Sequence, residues 1–366
     1  MEKTIEISGN TYGKSFVVTT WGTSHGPEMG VRIEGCPKGL KISQKDIQRE
    51  VNRRKPNNPQ ISTTRIEKDE VLVTSGIKND KTDGKPIILT VKNENTRPSD
   101  YKNTSNTFRP GHADIAYFLK YGNSEKNTIA HETGGARASG RETVSRVMAG
   151  AIAKAILKKE NKTEIFGYTL QVGNIKAKTF DKDFIEKNPL RTADKSAFTK
   201  MMKLVENTRK NGDSIGAIVE IIIKNPPKGL GEPVFDKLDA ELAKALMSIG
   251  AVKGIEFGTG FASTALKGSQ NNDQMEIKNG KIHFLSNSSG GILGGISTGE
   301  DIIIRLAIKP VPSIAKSQKT ITKNLQNTEI QISGRHDCCL APRIIPVAEA
   351  MSAIVLTDML LRKERE

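Results

Sequence analysis

Apolar positions along the chain fall into two spacings. Val144, Val147, Met148, Ala151, Ile152, Ala155 and Ile156 recur at three- and four-residue intervals and form one stripe, which predicts an amphipathic helix over residues 141–158. Leu238, Leu242, Ala245 and Leu246 repeat the pattern over 236–248, while 346–361 is apolar nearly all round and predicts a fully buried helix. Ser43 followed by Asp46 has the spacing of a capping box, opening a helix that Pro56 closes just past Arg53, Arg54 and Lys55. Strand-like segments are 16–20, 29–34, 70–75, 86–92, 164–172, 217–224, 254–258 and 302–309. They come in groups joined by hairpin-like turns instead of alternating strictly with helices. That order predicts an α+β fold, not a doubly wound sheet.

Composition narrows the class. Of 366 residues, 36% are apolar and 27% charged, ordinary proportions for a globular chain with ample core material. No repeat, low-complexity linker or Pro-rich hinge divides it. The charged N-terminus has no apolar signal-peptide core, and the apolar runs 215–223 and 353–361 are too short or interrupted to span a bilayer. Three cysteines, two of them adjacent (Cys338, Cys339), make no disulfide framework, so the reading is cytoplasmic with no membrane partner. The net charge of +15 calls for anions nearby. Aromatics are only 5% and no nucleic-acid reader motif appears, so phosphorylated small molecules suit the charge better than nucleic acid.

The chain has five histidines, and three lie in short Gly-flanked clusters: Gly22–Gly26 with His25, Arg109–Asp114 with His112, and Gly334-Arg335-His336-Asp337. The last brings a guanidinium, an imidazole and a carboxylate to one loop, able to bind an anion and handle a proton. Taken singly, a histidine in such a turn more often caps backbone. Arg53, Arg54 and Lys55 suit a helix C-terminus through the dipole, and their arginines could equally clamp phosphate or carboxylate. A glycine-rich turn with Arg137, Ser139 and Arg141 leads into the clearest helix, a natural anion site, although it is neither a Walker A loop nor a dinucleotide fingerprint. A second glycine cluster, 290–295, reads as either a packing turn or a close approach to a flat ligand. No histidine or cysteine spacing suggests a metal site.

Together these blocks resemble the chorismate synthase family nearly end to end. The resemblance rests on Gly9–Gly13 with Thr19–Gly26, on Phe108–Asp114, Arg137–Thr143, Gly212–Gly216, Gly229–Asp236 and Ser289–Ser297, and on Gly334–Asp337. It implies one domain over 1–366, with a helical core sandwiched between antiparallel sheets, and a homotetramer. It implies 1,4-anti elimination of phosphate from 5-enolpyruvylshikimate 3-phosphate to give chorismate, the last step of the shikimate pathway, which leads on to aromatic amino acids. The family uses reduced FMN without net redox change, the flavin being reduced by an NAD(P)H-dependent reductase that can be external. An arginine-lined pocket suits a substrate with a phosphate and two carboxylates.

By the same resemblance, His25 protonates the departing phosphate, His112 protonates the reduced flavin, and Asp337 assists flavin N5 in taking the C6 proton. Arg137, Ala138, Ser139, Gly250, Ala251, Gly294, Lys309, Pro310, Val311, Pro312, Ser313 and Arg335 fall at positions used around FMN. Arg53, Arg54 and Arg141 are candidates for a substrate or nucleotide (NADP) phosphate. The chain departs from the family pattern at Thr23, Gln60, Ala138, Gly140 and Cys338, and carries about six extra residues between Tyr121 and Gly134. The alternative on the same scaffold is a flavin-dependent oxidoreductase with net NADPH consumption.

Overall fold

The computed structural model describes residues 9–56, 58–63, 67–94, 106–122, 136–332 and 336–363. Two five-stranded antiparallel sheets form its outer layers. The first contains β1 (Thr11–Tyr12), β2 (Val17–Gly22), β3 (Glu28–Glu34), β4 (Leu72–Ser75) and β5 (Ile87–Lys92), in the order β1-β2-β3-β5-β4. The second contains β6 (Glu164–Val172), β7 (Ile175–Lys176), β8 (Ala217–Lys224), β9 (Val252–Phe257) and β10 (Ile302–Ile308), in the order β9-β10-β8-β6-β7. Alternation decides which face is covered. Val219, Ile221 and Ile223 pair directly with Leu306, Ile304 and Ile302, and all six are buried on one face.

The helices of eight residues or more among the described residues are α1 (Gln44–Arg54), α2 (Asp114–Tyr121), α3 (Thr143–Asn161), α4 (Lys195–Lys210), α5 (Leu238–Met247) and α6 (Ala341–Lys363). Helix α3 packs on β2, β3 and β5, and α6 packs on β6 and β8. The two lie against each other, with α1 touching both and α5 beside α6. This is the α+β architecture expected, with helices between antiparallel sheets. Close approach of α3 and α6 requires Gly150, because a Cβ there would sit 2.2 Å from that of Ala350. Helix α6 is long and apolar enough to cross a membrane, but 94% of its most apolar window is buried inside the protein. It is a core helix.

Where the pattern was strong, the elements match closely. The expected helix over 141–158 begins at Thr143 after a 3-10 turn and runs to Asn161. Ser43 and Asp46 form the capping box of α1. Helix α6, however, starts at Ala341 rather than at Pro346, with the proline inside it. Pro346 has no N–H to give the carbonyl of Pro342, and the Arg191 guanidinium takes that carbonyl instead. Helix α4 was not anticipated, although Asp194 caps the N–H groups of Ser196 and Ala197 and Ala197, Met201 and Val205 form its buried stripe.

Four elements meet at Glu349, which is fully buried on α6. It accepts from Arg53 of α1 at 2.6 and 2.9 Å, from Lys154 of α3 at 2.6 Å and from the Gly167 N–H of β6 at 3.0 Å. Burial alone would raise its carboxyl, but the Lys154 and Arg53 charges outweigh this and bring it down to about 2. A folded-state value below the ordinary 4.5 contributes stability that is fully present above about pH 4.5 and is lost as pH falls toward 2. Glu349→Gln is expected to destabilise by about 3 kcal/mol at neutral pH. Its acid-unfolding curve should be flatter than wild type over the same interval. Equal stability at pH 7 in denaturant titrations would show the network to be energetically idle.

Candidate active site

Helix α1 ends in two arginines that point into different surroundings. Arg53 is held by Glu349, Glu50 and Glu186, and it borders a cavity of about 890 Å³ that is also lined by Leu40, Ile42, Lys154 and Phe166. Its guanidinium is engaged by these three carboxylates, which sets its surroundings apart from those of Arg54. Arg54 turns the other way and is only 3% exposed. It donates to Asp69 Oδ2 at 3.1 Å, Thr143 Oγ1 at 3.3 Å and the Gly140 carbonyl at 3.4 Å. Arg141 reaches the other Asp69 oxygen, the Asn93 Oδ1 at 3.0 Å and the Lys92 carbonyl at 3.3 Å.

Burial would push the Asp69 carboxyl up, yet the Arg54 and Arg141 guanidiniums hold it below the usual carboxylate range. Arg54 itself is pushed down to about 10, chiefly by desolvation against the pull of Asp69, with Arg343 and Arg141 as further nearby positive charges. Three guanidiniums therefore converge here. The Nε atoms of Arg54 and Arg343 are buried without hydrogen-bond partners among the described residues. Such donors are expensive to leave unpaired, and an anion would satisfy them.

Arg343, in the first turn of α6, also holds Asp337. Its Nη1 donates to Asp337 Oδ2 at 2.6 Å, and the Thr63 N–H donates to Oδ1 at 2.9 Å. The loop is anchored by the Cys338 N–H on the Ile61 carbonyl and by the Ile215 N–H on the Cys338 carbonyl. Arg335 lies outside the described residues.

His25 sits in a turn leaving β2, where its Nδ1 lies 3.0 Å from Ser24 Oγ. Asn93 spans that turn, donating to the carbonyls of Thr23 at 3.0 Å and Gly26 at 2.7 Å. Because Asn93 also accepts from Arg141, one side chain joins the His25 turn to the arginine cluster. Arg137 is fastened to β2 through the Gly22 carbonyl and Thr20, and to Asn10 just before β1. Ser139 caps the Arg141 N–H at 3.3 Å, so part of the expected anion-binding turn is satisfied internally. Ala138 and Gly140 beside it are exposed.

A second group surrounds His112. Its Nδ1 contacts Asp114 Oδ1 closely and lies 3.0 Å from Arg109 Nη2, while Arg109 and Asp114 form a buried pair with contacts of 2.7 and 2.8 Å. Burial raises the Asp114 carboxyl, but hydrogen bonds from His112 and Arg109 bring it well below the usual range. Lys309 Nζ donates to the Gly111 carbonyl at 2.5 Å, and a Cβ at Gly111 would touch Pro312 at 3.4 Å. The segment containing Lys309, Pro310, Val311, Pro312 and the buried Ser313 thus lies on the His112 loop. It is also tied to Ala251 through the Lys309 N–H, next to the exposed Gly250. Ser214 Oγ donates to the Val311 carbonyl at 2.7 Å, and neighbouring Ile215 bonds Cys338, so this segment flanks the Asp337 loop. Gly294 lies apart at an exposed hairpin turn, where the next residue, Gly295, accepts from the start of α5.

The guanidiniums of Arg54 and Arg141 thus share Asp69, Arg343 holds Asp337, the His25 turn is joined to Arg141 through Asn93, and His112 stands in its own group beside Lys309. The family model for chorismate synthase matches residues 16–361. A chorismate synthase of Methanosarcina barkeri is 50% identical over 361 residues, covering 97% of each chain. One from Trichormus variabilis is 47% identical over 359 residues, covering 97% of this chain and 98% of its own. A crystal structure of a chorismate synthase superposes with a TM-score of 0.76 at 28% identity, covering 96% of this chain and 93% of that one. The class is therefore a carbon–oxygen lyase acting on a phosphorylated small molecule. The chain belongs to the chorismate synthase family, and its reaction eliminates phosphate from 5-enolpyruvylshikimate 3-phosphate to give chorismate.

Burial changes what is expected of Arg54→Ala. A cation at an exposed helix end would be lost cheaply, but here Asp69 loses one of its two partners inside the protein. The variant is expected to lose about 1–3 kcal/mol of stability and to raise KM for substrate by roughly one to two decades, the worth of a charge-assisted hydrogen bond. Thermal melting and steady-state kinetics read both effects. An unchanged KM would make Arg54 purely structural.

Proposed function

We propose that the Arg54, Arg141 and Arg343 cluster receives the anionic groups of 5-enolpyruvylshikimate 3-phosphate, and that the Lys309–Ser313 segment with Gly250 and Ala251 would hold reduced FMN. The observation that carries this reading is that Arg54, which shares Asp69 with Arg141, and Arg343, which holds Asp337, each keep a buried Nε with no partner among the described residues. The donor set also fits FMN. Lys309 is a cation made less basic by desolvation, Gly250 has open space on its Cα, and Ala251 holds a φ of +76° that turns the chain sharply. When bound, the reduced flavin supplies an electron transiently and recovers it, so the reaction has no net redox change.

His25 gives a proton to the oxygen of the departing phosphate, and its turn is braced by Asn93 for that purpose. Asp337, oriented by Thr63 and Arg343, serves the proton that leaves C6. His112 carries a proton at the flavin side. An NAD(P)H-dependent reductase acting apart from this chain keeps the flavin reduced, and the work is done in the cytoplasm. Self-association into the family's homotetramer is supported by the hairpin Met275–Lys278 and Lys281–Phe284, where Met275, Ile277 and Ile282 are each more than half exposed.

Three outcomes test these assignments. With oxidised FMN alone there should be no turnover, and chorismate should appear once the flavin is chemically reduced under anaerobic conditions. Robust turnover without flavin, or NADPH consumed in step with product, would overturn the reading. Asp337→Ala should keep its fold but slow turnover by about 10²-fold or more, and a near-wild-type rate would leave Asp337 merely a partner for Arg343. Ile277→Asp with Ile282→Asp should lower the mass seen by sedimentation. An unchanged mass would place the interface elsewhere.

A further inference from the structure

Helix α2 begins at Asp114, two residues beyond His112, and the loop before it curls so that Arg109, His112 and Asp114 meet. Arg109 grips both Asp114 oxygens, through Nε on Oδ2 at 2.7 Å and Nη2 on Oδ1 at 2.8 Å. The pair is about nineteen-twentieths buried, so Asp114 stays ionised and cannot swing away. His112 Nδ1 faces the same Oδ1. Arg109 can only donate, and an ionised carboxylate can only accept, so the two neighbours of Nδ1 make opposite demands on it. Contact with the carboxylate is the closer of the two, and it requires a proton on Nδ1.

We infer that Asp114, locked by Arg109, is a positioning residue that fixes His112 in the Nδ1–H tautomer and so leaves Nε2 as the atom that gains and gives up the catalytic proton. In the charged ring both nitrogens carry hydrogen. The Nε2 proton can then leave to an acceptor in the site, while the Nδ1 proton stays on Asp114 and the neutral ring keeps its orientation. Arg109 acts only through Asp114. Lys309, a cation that reaches this loop from the segment after β10, is occupied by the Gly111 carbonyl and sets the loop's position rather than the ring's. The inference rests on the reading of His112 as a proton carrier, but its structural part does not depend on turnover.

The test uses the full chain labelled with ¹⁵N-histidine, the His112 signals being assigned by their loss in His112→Gln. Wild-type His112, in its neutral form and without flavin, is expected to carry its proton on Nδ1. Asp114→Asn should abolish that fixed tautomer, and Asp114→Glu should restore part of it. With reduced FMN, Asp114→Asn should lower kcat by roughly tenfold or more while KM for substrate stays within about twofold. A wild-type ring with a bare Nδ1, or ring signals unchanged in Asp114→Asn, overturns the inference. The wild-type spectrum decides the matter even if the variant fails to fold. Full turnover by His112→Gln would instead overturn the role given to His112, whatever the tautomer.

Discussion

Asp69 is a buried carboxylate with a guanidinium on each oxygen, and the geometry of the site depends on that contact. Arg54 arrives from the end of α1 and Arg141 from the turn before α3, so Asp69 fixes the two against each other. Without the carboxylate, two buried cations would repel in a medium that screens them poorly. With it, the cluster keeps a net positive charge and an unsatisfied donor, which is what an anion-binding site needs. The Asp69 backbone is held as well: Gln48 of α1 donates to its carbonyl at 2.8 Å, and its φ of 48° is one that non-glycine residues adopt at a cost.

The same helix end is secured from the opposite side. Arg53 runs to Glu349 in the core, while its neighbour Arg54 faces Asp69. Adjacent residues on a helix point about 100° apart, so one short segment can tie the helical layer together and also furnish the site. Glu349 and Arg343 share α6 with Asp358, which accepts from the N–H groups of Lys14, Ser15 and Phe16 between β1 and β2. Helix α6 therefore joins both sheets to the site, and its buried charges orient it where an all-apolar helix could rotate or slide.

Much of this was legible in the sequence where the signal is local. The stripe from Val144 to Ile156 fixed α3 to within three residues at either end, because seven apolar positions leave one helical face. His25, His112 and Asp337 stood out because histidines are few and each lies in a glycine-flanked turn. Pro346 misled the start of α6, since the guanidinium that satisfies the freed carbonyl comes from Arg191, 151 residues away. Asp69 and Asn93 carried no signal for the same reason. Their partner Arg141 is 72 and 48 residues distant, and spacing along the chain says nothing about such pairs. Arg53 and Arg54 looked equivalent in sequence and part company only in three dimensions.

The central claim is that the arginine cluster built on Asp69, with Asp337 at its edge, is where the substrate's anionic groups sit. A crystal structure of this chain with 5-enolpyruvylshikimate 3-phosphate bound tests it most directly. A phosphate or carboxylate of the substrate is expected at about 3 Å from the Nε atoms of both Arg54 and Arg343, with Asp69 still bridging Arg54 and Arg141. Substrate bound instead in the cavity beside Arg53 and Lys154, with those Nε atoms still unpaired, would contradict it.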